Sequence, residues 1–354
     1  MSEEAEVLVK VEGAVGRLTL NRPKAIHALT QNMCQIMTDA LVAWRNDPAV
    51  KLVLLDNSGE RGFCAGGDIK MLAESGAVGG EAASEFFKVE YRLNHLLFSY
   101  PKPVVAILDG IVMGGGVGIS DPARYRVHTE RTTFAMPETG IGLFPDVGGG
   151  WFLPRLPGKA GLWLALTGAR IKAADCRLFG VGTHYVQSAD VEALKAAIIA
   201  DPGAVETIMA RADADPGPAP QAPHKADIDR LFAGDTVEAI FAALEADGGE
   251  WAAAQLATLK TKSPQAMKVS LRQLQAGAKM TDFVDNMVME YRLGGRVVQT
   301  HDFQEGVRAV VVDKDNKPDW KPATIEGVTD AMLDALFAPL PADQEWTPLA
   351  EAAK

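Results

Sequence analysis

The chain has little of what would tie it to several large functional classes. Its three cysteines, Cys34, Cys64 and Cys176, are odd in number and widely spaced among 354 residues. No CxxC or CxxH pair occurs, so neither a disulfide framework nor a structural zinc site is expected, and a reducing compartment fits. Positive charge is scarce: 35 Lys and Arg stand against 46 Asp and Glu, a formal net charge of −11. That balance argues against broad binding to nucleic acid or to an anionic membrane. No uncharged apolar run is long enough to span a bilayer. The opening MSEEAEVLVKV reads neither as a signal peptide nor as an Arg-rich transit peptide, and a cytoplasmic location is expected. There is no GxxxxGK(S/T) phosphate loop and no GxSxG nucleophile elbow. The six histidines lack HxxxH or HxxEH spacing, so they read as surface or packing residues and no metal site is expected.

Hydrophobic residues make up 47% and charged residues 23%, as in an ordinary globular protein. VLVKV (7–11) and RLTL (17–20) read as a β-hairpin. Thr30 is placed to cap a helix running to about Arg45, with Met33, Ile36, Met37 and Leu41 on one face. KLVLL (51–55), VVAIL (104–108), RYRVHT (124–129) and TTFA (132–135) read as strands, and SEFFKVEYRLNHLLFSY (84–100) as an amphipathic helix. This alternation predicts an α/β fold with a mostly parallel sheet and crossover helices. After about residue 156 the pattern turns helical, interrupted by a proline- and alanine-rich connector over 212–222.

Two glycine-rich loops follow strands: FCAGGDI (63–69) after KLVLL, and DGIVMGGGVGIS (109–120) after VVAIL. Ligands of open α/β sheets collect at such carboxyl ends. Glycines let backbone approach a ligand closely, and N–H groups at a helix start favour negative charge. Two such loops on neighbouring strands would aim two N–H groups at one carbonyl oxygen, an oxyanion hole. Close helix–strand packing explains consecutive glycines as well, and the residues alone leave both readings open. FAMPETGIGLFPDVGGG (134–150) then places Glu138 and Asp146 in an apolar stretch. Either they do chemistry on a bound substrate, or Glu138 sits in a turn and Asp146 caps the helix beginning VGGGWFL. Cys64 lies beside the first loop without a positioned His, which favours a buried packing role over that of a nucleophile. FVDNMVMEYRL reads as a core stripe.

The phrases FCAGGDIKML, DGIVMGGGVGIS and FAMPETGIGLFPDVGGGWFLPRL resemble the crotonase (enoyl-CoA hydratase/isomerase) superfamily, from LTLNRPKAIHALT onward. The resemblance implies a crotonase-like ββα spiral core over 1–200 and a mostly helical region over 201–354 that completes the fold. It implies a small-molecule acyl-CoA partner whose coenzyme A belongs to the substrate and no separate cofactor; members of the superfamily often assemble as homo-oligomers, and the longer helical region here leaves open whether that surface is covered instead. The backbone N–H groups of Gly67 and Gly115 match the family's oxyanion donors. Hydratases of the family use two glutamates. One position matches Glu138, but the other holds Gly118, which counts against a hydratase. The remaining pattern, including EYRLN near Glu90, SPQAMKVSLRQL and HDFQEGVRAVVVDKD, is similar to a branch that cleaves the thioester of 3-hydroxyisobutyryl-CoA in valine breakdown. It implies that Glu138 and Asp146 are active-site acids and that Glu90 touches substrate, as do Gly115, Glu138 and Asp146. Arg22 and Lys24 are the local cations expected at the nucleotide end of CoA. The alternatives are a hydratase or isomerase of the same fold, and a non-catalytic acyl-CoA-binding protein.

Overall fold

A computed structural model describes residues 5–350; residues 1–4, which entered the reading of the N-terminus, and 351–354 lie outside it. β1 (Val7–Glu12) and β2 (Val15–Leu20) form the expected hairpin, paired antiparallel from Val7 opposite Leu20 to Glu12 opposite Val15. The helix Gln31–Arg45 follows, with Thr30 Oγ1 accepting from Met33 N at 3.1 Å. Loss of such a cap typically costs about 1 kcal/mol.

From there the chain repeats one unit: a strand in a large sheet, a short strand in a small sheet, then helix or turn. β3 (Leu52–Asn57), β5 (Val104–Leu108) and β7 (Tyr125–His128) extend the large sheet. β4 (Gly62–Cys64), β6 (Ile111–Met113) and β8 (Thr133–Ala135) build the small one. With β9 (His184–Tyr185) at the far edge, the large sheet has the order β1-β2-β3-β5-β7-β9, parallel beyond the hairpin. The small sheet runs β4-β6-β8, also parallel. Each turn of the chain advances one place in both sheets, which is a ββα spiral. β4 and β6 correct the sequence reading, which placed both stretches in glycine-rich loops. Three residues are too few to show a two-residue period, and the glycines on either side mask them.

β3 and β5 are apolar nearly throughout because both faces of the large sheet are covered. Val53, Leu55 and Ala106 face the main core; Leu52, Leu54, Val105 and Ile107 face a second cluster under the helices Val191–Ala200 and Val205–Ala212. The main cluster draws on both sides of residue 200, from Val7 to Trp346. In it the helix Glu81–Phe98 packs against Phe283–Val297, and Pro264–Gly277 against the short helix Gly149–Phe152. Among the described residues no helix is long and apolar enough to cross a membrane.

Candidate active site

The three strands of the small sheet end at one cavity. Ala65–Gly67 reach it from β4, Gly114 and Gly115 from β6, and Pro137 and Glu138 from β8; Asp146 and Val147 close it from the turn beyond. Glu90 enters from the helix Glu81–Phe98, whose Phe86 and Phe87 form an apolar wall with Ile69 and Leu72. Gly67, Gly115, Glu90, Glu138 and Asp146, far apart in sequence, thus share one space.

The glycine turns present their N–H groups. Gly66 and Gly114 take φ of +120° and +48°, which side-chain-bearing residues seldom adopt. The turns lie side by side: a Cβ added to Gly66 would stand 3.8 Å from the Gly115 nitrogen. Among the described residues, neither Gly67 N–H nor Gly115 N–H is used in a backbone hydrogen bond. A Cβ at Gly115 would meet Glu90 Oε1 at 2.6 Å and the Gly66 carbonyl carbon at 3.3 Å, so a side chain there would push the Glu90 carboxyl aside.

The acids are buried: Glu90 is 2%, Glu138 4% and Asp146 5% exposed. Burial pushes Glu138 well above the usual carboxylate range, with repulsion from Asp146 adding to it. Glu90 is raised in the same way, by burial first and then by Asp146 and Glu290. Asp146 is pushed up to about 6 by burial, held back by the Tyr91 hydroxyl, which donates to Asp146 Oδ2 at 2.8 Å. Glu90 Oε1 and Glu138 Oε2 are buried without a hydrogen-bond partner. Asp56 provides the contrast. It is equally buried, but Arg17 at 2.7 Å and Lys195 at 2.9 Å neutralise it. An acid placed for stability takes cations; unpartnered buried carboxyl oxygens lining a cavity suit a ligand.

The residues around Asp146 depart from the sequence reading. Asp146 does not cap the following helix with its side chain, which is committed to Tyr91. The N–H groups of Gly148 and Gly150 are taken instead by Glu290, at 2.7 and 2.9 Å. Val147 has φ of +53°. A left-handed backbone costs an L-residue roughly 1–2 kcal/mol, and more is expected of a β-branched one. Its side chain fills the space beside Gly118, where a Cβ would come within 2.4 Å of Val147 Cβ.

Tyr91, Val147 and Glu290 were not singled out from the sequence. Glu290 lay in a segment read as core stripe, although its EYRL (290–293) repeats the EYRL of 90–93. A glutamate on the apolar face of a helix was the available signal.

Cys64 packs as expected: it is fully buried, its thiol pushed up to about 12, and its Sγ donates to the His27 carbonyl. None of the histidines lines the cavity. Arg22 and Lys24 do not line it either. Arg22 pairs with Glu6 at 3.2 Å and donates to the Ala28 carbonyl, while Lys24 is exposed. Their segment still borders the site, since Leu29 N donates to Gly66 O and Ala65 N to Ile26 O. Among the described residues no cluster of His, Cys, Asp and Glu suited to a metal ion occurs.

A family model described as enoyl-CoA hydratase/isomerase matches residues 15–337. The chain belongs to the enoyl-CoA hydratase/isomerase family. Within the family, it is 46% identical over 352 residues to a zebrafish (Danio rerio) protein named 3-hydroxyisobutyryl-CoA hydrolase, mitochondrial, covering 96% of this chain and 92% of that one. It is 42% identical to the Homo sapiens protein of the same name, covering 95% and 89%. The crystal structure of a carnitinyl-CoA dehydratase from Mycobacterium thermoresistibile superposes with a TM-score of 0.92 at 44% identity, over 97% of this chain and 99% of that chain. An enoyl-CoA hydratase from Rhodobacter sphaeroides 2.4.1 gives 0.89 at 40%, over the same shares. The family and the crotonase fold expected from the sequence are both borne out.

Proposed function

We propose that the protein hydrolyses the thioester of 3-hydroxyisobutyryl-CoA to the free acid and coenzyme A, a step of valine breakdown. The relatives that are 42–46% identical over nearly the whole chain carry that name. The observation that carries the reading on this chain's own residues is the filled space beside Gly118. Addition of water across a double bond uses two acids, and Val147 occupies the room that a side chain at position 118 would need.

In this reading the thioester carbonyl oxygen lies between the N–H groups of Gly67 and Gly115, which receive the negative charge as the tetrahedral intermediate forms. Losing one such donor typically costs about 10²–10³ in rate. Glu138 acts as a carboxylate in one of two ways. It attacks the carbonyl carbon, expelling the CoA thiolate and leaving a mixed anhydride that water opens. Or it takes a proton from a water that attacks in its place. Label from ¹⁸O-water entering the enzyme carboxylate in a single turnover marks the first route, with water opening the anhydride at the glutamyl carbon. Asp146 and Glu90 receive the substrate hydroxyl and acyl end. Lys24 is retained for the nucleotide end of CoA, since its ammonium is exposed beside the 26–29 segment; Arg22 would have to leave Glu6 to join it.

The test is release of CoA, read with DTNB, over a panel of acyl-CoAs. Release from 3-hydroxyisobutyryl-CoA well above that from unsubstituted acyl-CoAs is expected, and a protein that binds CoA without release would overturn the proposal. The likeness to a carnitinyl-CoA dehydratase and an enoyl-CoA hydratase favours a second reading, hydration or dehydration of an enoyl-CoA. Consumption of crotonyl-CoA followed at 260 nm decides between them, and a flat trace is expected. Both compartments in question are reducing and suit the three buried free thiols. The relatives are named mitochondrial, and the cytoplasmic placement is a proposal for cell fractionation. A homo-oligomer is proposed on the family likeness and on edge strand β1, which exposes Val9 and Val11; light scattering reads it.

A further inference from the structure

The turn that carries Asp146 is held from outside the spiral. Pro145 O, just before Asp146, accepts from Gln273 Nε2 at 2.7 Å. Just after it, Gly148 N donates to Glu290 Oε2 at 2.7 Å and Gly150 N to Glu290 Oε1 at 2.9 Å. Oε1 accepts further from Gln273 Nε2 at 3.1 Å and Asn286 Nδ2 at 2.9 Å. Gln273, Asn286 and Glu290 are all 0% exposed. They sit on the helices Pro264–Gly277 and Phe283–Val297, more than a hundred residues from the turn in sequence.

We propose that Glu290 is a positioning residue for the active site, fixing through the N–H groups of Gly148 and Gly150 the turn that aims Asp146 and the Val147 side chain into the cavity. Two observations require such a clamp. Val147 is held in the left-handed region, which a β-branched residue leaves unless its neighbours over-determine it. And Asp146 must meet the Tyr91 hydroxyl on a different helix at 2.8 Å. The turn's own hydrogen bonds, Gly149 N to Asp146 O and Trp151 N to Gly148 O, set its local curl but not its place in the molecule. The Glu290 carboxyl group is suited to this task because its two oxygens accept from two N–H groups that otherwise have no partner at the start of a short helix. Its side chain is not among those lining the cavity, so it acts through Asp146 rather than on the substrate. The titratable groups facing this cluster are Asp146, Glu90 and Tyr91. The inference rests on the hydrolase reading.

The test is a double-mutant cycle of Glu290→Gln with Asp146→Asn, read by CoA release from 3-hydroxyisobutyryl-CoA. Glu290→Gln is expected to lower kcat about tenfold or more, with KM changed less than about threefold, as a displaced group of about 1 Å does. In the Asp146→Asn background the same change is expected to cost nothing further. Equal cost in both backgrounds, or a lower melting temperature with kcat intact, overturns the positioning role and leaves only a structural one. If Glu290→Gln does not fold, Gln273→Leu, which frees the Pro145 carbonyl, enters the same cycle with the same expected outcomes. Wild-type protein that releases no CoA from any thioester defeats the hydrolase reading instead, so the two failures are distinguishable.

Discussion

Replacing Glu138 by Gln keeps the shape of the side chain and removes its capacity to ionise. In the proposed reaction CoA release falls about 10²–10⁴-fold, while the melting temperature does not fall below that of the wild type; unchanged turnover would remove Glu138 from the chemistry. Because Glu138 must be ionised to act, and burial raises it well above the ordinary value of 4.5, kcat/KM should climb with pH along a limb far above the usual carboxylate range. A limb centred near 4.5 would contradict the buried, unneutralised cluster. The observed limb belongs to the coupled acids together rather than to one residue. Asp146 offers a separate reading. The Tyr91 hydroxyl favours its charged form, so Tyr91→Phe should move the Asp146 titration, followed by carboxyl ¹³C NMR, upward from about 6. A downward move would mean that the hydrogen bond does not act on Asp146.

The glycine turn over 114–118, with its neighbour Val147, bears on the choice between hydrolysis and hydration. Gly118→Glu supplies the acid a hydratase would carry, but its Cβ would lie 2.4 Å from Val147 Cβ and 2.9 Å from Asn94 Nδ2. Overpacking of this kind costs roughly 1–3 kcal/mol. The variant is expected to melt at a lower temperature and to gain no absorbance change with crotonyl-CoA. Hydration activity in the single mutant would show that the room exists after all. Among the elements themselves, long ones were readable. The amphipathic stripes of the helices Gln31–Arg45 and Glu81–Phe98 and the apolar runs of β3 and β5 announce themselves, since burial of one face or both imposes a pattern over many residues. β4 and β6 did not, because their pairing is decided by the strands beside them.

For the whole molecule, the buried acids set a dependence of stability on pH. Glu90, Glu138, Asp146 and Glu290 all bind protons more tightly folded than unfolded, Glu290 to about 8 and Asp146 to about 6, with burial the first cause in each. A raised folded value means that the folded state holds more protons, so this contribution is complete below about pH 4.5 and is lost as pH rises through the raised values. Melting temperature of the wild type relative to Glu138→Gln should therefore decline between about pH 5 and 8, because the histidines lowered by burial, which act in the opposite sense, are common to both proteins; a difference that stays constant over that window would show that Glu138 is ionised and otherwise compensated. The sequence by itself determined the kind of fold and the identities of the acids and glycines. Periodicity and glycine placement are local, and the PET and PDVGGG phrases carry Glu138 and Asp146 with them. Only the tertiary structure decided that Glu90, from one helix, meets those acids in a single cavity, that Tyr91 rather than a helix end receives Asp146, and that Glu290 from the last third of the chain holds the turn. These meetings join residues 48 to 142 positions apart. They follow from how the spiral closes on its helices, and no local pattern in the chain encodes that closure.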